Sequence, residues 1–127
     1  MNTNKKILIV DDKKIVVETL LDIFREKGFK NVLTASDGKM GLDLAKKESP
    51  DLILMDIDMP NMSGGDAVAE LQKNLDTMSI PVIFLSGIVG KDKEGKQAVN
   101  IRGRWYPAIG KPFNPAILLE RIEVYTG

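Results

Sequence analysis

Short runs of β-branched and aliphatic residues recur along this chain, and each ends in an acid, a hydroxyl or a glycine before a new local pattern begins. Lys6–Val10, Asn31–Ala35, Leu52–Asp56, Pro81–Leu85 and Ala108–Gly110 are the strands this pattern predicts. Several are apolar without alternation, as expected of strands covered by helices on both faces. Helices are expected over Lys13–Lys27, Gly38–Lys47, Gly65–Leu75 and Pro115–Thr126. In the first, Val16, Leu20, Ile23 and Phe24 recur at helical spacing and Gly28 gives a stop. In the last, Asn114 and Pro115 form a start signal. Strands alternating with helices build a parallel sheet through right-handed crossovers. The expected fold is therefore α/β, a doubly wound five-stranded parallel sheet with about five helices. Residues 90–107 fit this scheme least. Gly90, Gly95, Gly103 and Pro107 stand there among mixed charges and leave room only for a short helix around Asp92 to Asn100.

With 127 residues the chain reads as one domain, 1–127, able to bury roughly two-thirds of its unfolded surface. The 18 basic and 18 acidic residues cancel, so no long-range field favours nucleic acid or an anionic membrane. Absence of Cys excludes disulfide and thiolate chemistry, and absence of His removes the commonest general base and zinc ligand. No apolar stretch is long enough to span a bilayer, and Met1 leads almost directly into the first strand without space for a signal peptide. A cytoplasmic location is expected.

The strand ends carry the chemistry. Asp11 and Asp12 follow the first strand, Asp56 closes the third, Ser86 and Gly87 follow the fourth, and Lys111 follows the fifth. In an open parallel sheet ligands bind at the carboxyl ends of strands, so these groups can converge although they are far apart in sequence. Three carboxylates brought together raise one another's proton affinity unless a cation joins them. All-oxygen ligands suit Mg²⁺, with Mn²⁺ as the alternative, and Lys111 offers an ammonium. A carboxylate is also a nucleophile toward phosphorus, which makes Asp56 the candidate acceptor, Ser86 a hydrogen-bond donor and Lys111 a neutralising charge. Each residue alone has a plainer reading: Asp12 as a helix cap, Ser86 as a turn residue, Lys111 as a solvated cation.

Taken in order, Ile7-Leu-Ile-Val-Asp-Asp12, Asp51-Leu-Ile-Leu-Met-Asp56-Ile-Asp-Met-Pro60-Asn-Met-Ser-Gly64, Phe84-Leu-Ser-Gly87 and Lys111-Pro-Phe113 give the chain a resemblance to the receiver domain of two-component response regulators. The resemblance covers about Lys5 to Tyr125. It implies a flavodoxin-like sheet of strand order 2-1-3-4-5. It implies that Asp56 accepts a phosphoryl group from a sensor histidine kinase or phosphotransfer protein, and that the chain catalyses only its own phosphorylation and dephosphorylation. It further implies that Asp11, Asp12, Asp56 and the backbone carbonyl of Asp58 hold Mg²⁺, that Ser86 and Lys111 contact the phosphoryl group, and that the Lys111–Pro112 bond is cis. Output is expected through contact with a downstream protein. The chain is expected to be chiefly a monomer, with pairing through the last strand and flanking helices as the alternative. In two respects the chain departs from the family: Ala108 stands where an aromatic residue usually lies three positions before the motif lysine, and the stretch from Ser86 to Lys111 is longer than is typical and lacks the small-residue helix and Gly-Ala approach to the last strand. Trp105 and Tyr106 are close, with Pro107 between them and the site.

Rival readings remain at this level. Asp56-Ile-Asp58 imitates the nucleophile and acid of haloacid-dehalogenase-like phosphatases, but the acidic pair comes first in the chain where that family places it last, and Pro60 stands where Thr or Val is usual. A flavodoxin-like electron carrier shares the expected fold, yet Asp11-Asp12 would repel a flavin phosphate. A receiver-like interaction module that works without phosphorylation is the third reading, kept open by Ala108.

Overall fold

A computed structural model describes residues 1–127 and places four helices around one seven-stranded sheet. The strands are β1 (Lys6–Val10), β2 (Asn31–Ala35), β3 (Leu52–Asp56), β4 (Val82–Ser86), β5 (Gly90–Lys91), β6 (Gln97–Ile101) and β7 (Arg104–Gly110). The helices are α1 (Lys14–Glu26), α2 (Gly38–Glu48), α3 (Gly64–Gln72) and α4 (Pro115–Thr126). Spatial order is β2-β1-β3-β4-β7-β6-β5. The first five of these pair in parallel, giving the expected 2-1-3-4-5 arrangement, and β7, β6 and β5 continue it antiparallel.

Alternate residues of the central strands point to opposite faces, and each face has its own core. Leu8, Val10, Ile53, Met55, Val82, Phe84 and Ala108 pack toward α2 and α3. Ile7, Ile9, Leu52, Leu54, Ile83, Leu85 and Ile109 pack toward α1 and α4, where Phe24 meets Phe29 edge to face at 5.1 Å. Asn114 caps α4 with Pro115 inside the first turn, as the sequence predicts, and Asp37 and Ser63 cap α2 and α3.

The short helix expected around Asp92 to Asn100 does not form, which also reduces about five helices to four and extends five strands to seven. Asp92 decides the first turn. Its Oδ1 accepts from the backbone N–H groups of Glu94 and Lys96, and its own N–H donates to the Lys96 carbonyl. Such local bonds compete directly with a helix. Residues 97–101 then run as β6, with Ala98 and Val99 buried. Between Ile101 and Arg104 lies a two-residue turn in which Arg102 and Gly103 both have positive φ, 54° and 86°. That geometry matches the right-handed twist of a hairpin, and the Asn100 side chain accepts from Gly103 N–H to close it. The last strand is accordingly longer than Ala108–Gly110, and α3 stops at Gln72 rather than Leu75.

Gly64 joins this frame to the strand ends. A Cβ on it would lie 2.5 Å from the Asp56 carbonyl oxygen and 2.9 Å from the Phe84 ring, while its N–H donates to the Ile57 carbonyl at 2.9 Å. Gly64→Ala is expected to lower the unfolding free energy by about 1–3 kcal/mol, the usual cost of overpacking a core. Urea denaturation checks this, and an unchanged midpoint would show that the α3 start can retreat freely from β3.

Candidate functional site

Ladder register brings the polar groups to one edge. Asp56 is opposite Leu85, Ser86 is opposite Gly110, and the Lys111 N–H continues the ladder by donating to the Ser86 carbonyl at 2.8 Å. Asp11 is fixed by two bonds, its N–H to the Ala35 carbonyl and its Oδ1 accepting from Lys13 N–H. Thus four neighbouring strands deliver Asp11, Asp56, Ser86 and Lys111 side by side.

Asp11 and Asp56 are buried, with side chains 0% and 4% exposed, while Asp12 lies at the rim. One carboxylate oxygen from each of the three can come within 4.8 Å of the others, and this cluster can hold a metal ion. Lys111 Nζ reaches Asp56 Oδ1 at 3.3 Å and Asp11 Oδ2 at 3.4 Å. The Lys111–Pro112 bond is cis, as expected. Burial pushes the Asp11 carboxyl above its ordinary pKa, and the Asp56 charge adds to this; the Lys13 N–H and Lys111 oppose it without cancelling it.

Sequence reasoning missed Lys13, which it read as the first residue of a helix. In the structure Lys13 is the N-cap of α1, and its ammonium sits 3.0 Å from Asp56 Oδ2 and 3.1 Å from Asp12 Oδ1. Hydrogen bonds to Asp56 and Asp12 raise its pKa well above the ordinary lysine value, and the bond from Lys13 lowers that of Asp12. A signal was present in the sequence: Lys13-Lys14 begins a helix at the end where acids are favoured. Asp12 itself is not the cap.

Two further expectations meet the geometry differently. Ser86 lies at the strand end, but its hydroxyl donates to the Ile88 carbonyl at 2.7 Å and accepts from the Ile88 N–H, so it closes its own turn. Asp58 is exposed in the loop leading from β3 to α3. At Ala108 there is no ring, and the position is fully buried. Its cross-strand partner on that face is Phe84, and the neighbouring aromatic within β7 is Tyr106, whose ring meets Phe84 edge to face at 5.5 Å with the Arg104 guanidinium 5.1 Å from its centre.

Comparison with known proteins places this geometry. Residues 7–123 match the response regulator receiver domain. Protein PilH of Pseudomonas aeruginosa is 36% identical over 118 residues, covering 93% of this chain and 94% of PilH. The polar-differentiation response regulator DivK of Brucella abortus is 32% identical over 123 residues, 97% of either chain. The alkaline phosphatase synthesis transcriptional regulatory protein PhoP of Bacillus subtilis is 33% identical over 120 residues, and the chain spans 48% of its length. Among solved structures, chemotaxis protein CheY4 of Vibrio cholerae superposes with a TM-score of 0.80 at 27% identity, covering 96% of this chain and 98% of that one. For the fold alone, the receiver domain of the sensor histidine kinase PA1611 of Pseudomonas aeruginosa, with a magnesium ion in its cleft, superposes at 0.82 with 24% identity and 98% coverage of both chains. No helix is long and apolar enough to cross a membrane. With the motifs, the sheet order and the relatives in agreement, the chain belongs to the response-regulator receiver family.

Proposed function

We propose that this chain, as a single receiver domain, accepts a phosphoryl group on Asp56 from the phosphohistidine of a sensor histidine kinase or phosphotransfer protein. The observation that carries the reading is the setting of Asp56: a nearly buried carboxylate at the end of β3, with two further carboxylates within metal-sharing distance and ammonium groups on both of its oxygens. One Asp56 oxygen attacks phosphorus, the P–N bond of the donor breaks, and its electron pair leaves on the imidazole nitrogen. The product is an acyl phosphate. Catalysis here is positioning and charge neutralisation, which a receiver performs once per phosphoryl group rather than as a cycling enzyme. Lys111 is close enough to pair with the added anion, and Ser86 contacts it once its bonds to Ile88 are exchanged for a charge-assisted one.

The donor set fits a hard divalent cation, because it is all oxygen and lacks the nitrogen and sulfur that favour zinc. Asp11, Asp12 and Asp56, with the Asp58 backbone carbonyl, would hold Mg²⁺ or Mn²⁺. Bound there, the ion supplies positive charge to the phosphoryl oxygens. The chain works in the cytoplasm and signals by contact with a downstream protein, without binding nucleic acid or membrane itself.

Output runs through the hairpin of β6 and β7. Gly64 abuts the Asp56 carbonyl, Ile101 lies against Gly65, and Arg102 pairs with Asp66, so the hairpin turn is seated on the first turn of α3. The exposed face beyond it carries Trp105 and Tyr125 beside a cleft of about 220 Å³.

Exposure to acetyl phosphate with Mg²⁺ should add one phosphoryl group to the intact mass of the wild type and none to Asp56→Asn. Equal modification of both proteins would move the acceptor elsewhere.

Asp11→Asn should raise the melting temperature of the metal-free protein by several degrees near neutral pH while weakening Mg²⁺ binding, since Asn keeps the acceptor for Lys13 N–H and removes a buried charge. Because the folded-state pKa of Asp11 is raised, its ionisation opposes folding at neutral pH and that penalty fades as pH falls through the raised value. The two proteins should therefore converge in acid. A gap that is unchanged with pH would assign the effect to shape rather than charge.

Hydrogen exchange with and without beryllofluoride, a phosphoryl mimic, should change protection across Gly87–Gly103. Changes confined to residues 57–64 would remove the hairpin from the output route.

A further inference from the structure

Lys13 has a place in the site that neither its helix nor the acceptor chemistry explains. It caps α1 without a side-chain capping bond, no acidic residue occupies the first turn, and Lys14 follows it. The amino end of a helix carries partial positive charge, so an ammonium held there needs compensation from elsewhere. That compensation is the acidic cluster itself. Lys13 Nζ lies 3.0 Å from Asp56 Oδ2, 3.1 Å from Asp12 Oδ1 and 4.0 Å from Asp11 Oδ1, one oxygen from each carboxylate of the metal-sharing cluster. Lys111 takes the other oxygens of Asp11 and Asp56. The two ammonium groups divide the carboxylate oxygens between them and share none.

We propose that Lys13 is an internal counter-ion that occupies the metal centre of the metal-free protein, and that Mg²⁺ binding requires its ammonium to withdraw. The inference rests on the receiver reading for the identity of the ion. A magnesium ion sits about 2.1 Å from its oxygen ligands, so it and an ammonium cannot both serve the same three oxygens. Lys111 has no such conflict, since it approaches from the opposite oxygens. Withdrawal is open to Lys13 because its side chain is 48% exposed and ends in a compact, readily hydrated charge on a flexible stem. Its backbone N–H is bonded separately to Asp11 Oδ1, so the side chain is not what holds the chain there. In the metal-free protein both Asp56 oxygens are thus covered, Oδ2 by Lys13 and Oδ1 by Lys111, and the acceptor is masked. Lys13 is a positioning residue that makes acceptor exposure conditional on the divalent cation.

Calorimetric titration with MgCl₂ of the full chain tests this, with thermal melting as the second readout. Lys13→Met should bind Mg²⁺ roughly threefold to tenfold more tightly than wild type, the range expected when half-exposed ion pairs no longer have to be given up. Lys14→Met removes the same charge one residue away, where the side chain is 89% exposed and faces Glu18, and should leave the affinity near that of wild type. Without metal, Lys13→Met should melt lower than wild type, and saturating Mg²⁺ should close that gap; a purely structural lysine would leave the gap open. Equal Mg²⁺ affinity in wild type and Lys13→Met, or an equal rise in Lys14→Met, overturns the counter-ion role while leaving the metal centre standing. Failure of wild type and Lys13→Met alike to bind Mg²⁺ removes the metal centre and the inference with it.

Discussion

Three carboxylates at the ends of adjacent parallel strands repel one another, and the rest of the molecule is arranged to keep them together regardless. Asp11 and Asp56 cannot relax away, since each follows or ends a strand whose apolar side chains are buried on both faces. Fixing them there makes the site selective for cations. In the structure two lysines answer the repulsion from opposite sides, one from the loop after β7 and one from the start of α1. A preorganised cluster of this kind is costly to hold, but its charges do not have to be rearranged when a further charged group arrives beside it.

How far the sequence disclosed this depends on what each residue answers to. Asp11, Asp12, Asp56 and Lys111 were legible because strand ends in a parallel sheet face one edge, a rule of topology that needs no knowledge of side-chain rotamers. Lys13 was not, because its role depends on a long side chain folding back past its own helix start, which spacing alone does not encode. The Ser86 hydroxyl was placed at the right strand end, yet its choice of Ile88 as partner is a local competition decided by the turn. The helix expected at Asp92–Asn100 failed for a readable reason: Gly95 and Gly103 bracket the run Gln97-Ala-Val-Asn-Ile101, which is a strand between two turns.

The replacement of a helix by a hairpin changes what lies beside the acidic cluster. A helix touches a sheet through side chains alone, whereas β6 and β7 are bonded to β4 through continuous ladders, Phe84 to Ala108 on one side and Ala98 to Pro107 on the other. The hairpin is also tied down at its turn, where Ile101 leans on Gly65 and Arg102 meets Asp66. Arg102 and Asp66 are both more than half exposed, so this ion pair adds little stability and serves mainly to seat the turn.

Ala108 then acquires a structural explanation. A ring at this position would project onto the face where Phe84 already meets Tyr106, and Ala108 is fully enclosed there. Tyr106 is two residues earlier on the same face of β7, paired across the ladder with Val99 and covered by Arg104. It is a packed element of the sheet rather than a free rotor beside the site. The end of β4 is thus joined through the backbone of β7 to β6, and Phe84 and Tyr106 form the side-chain contact between β4 and β7. In this chain the connection between the acidic cluster and the outer surface is made of strands.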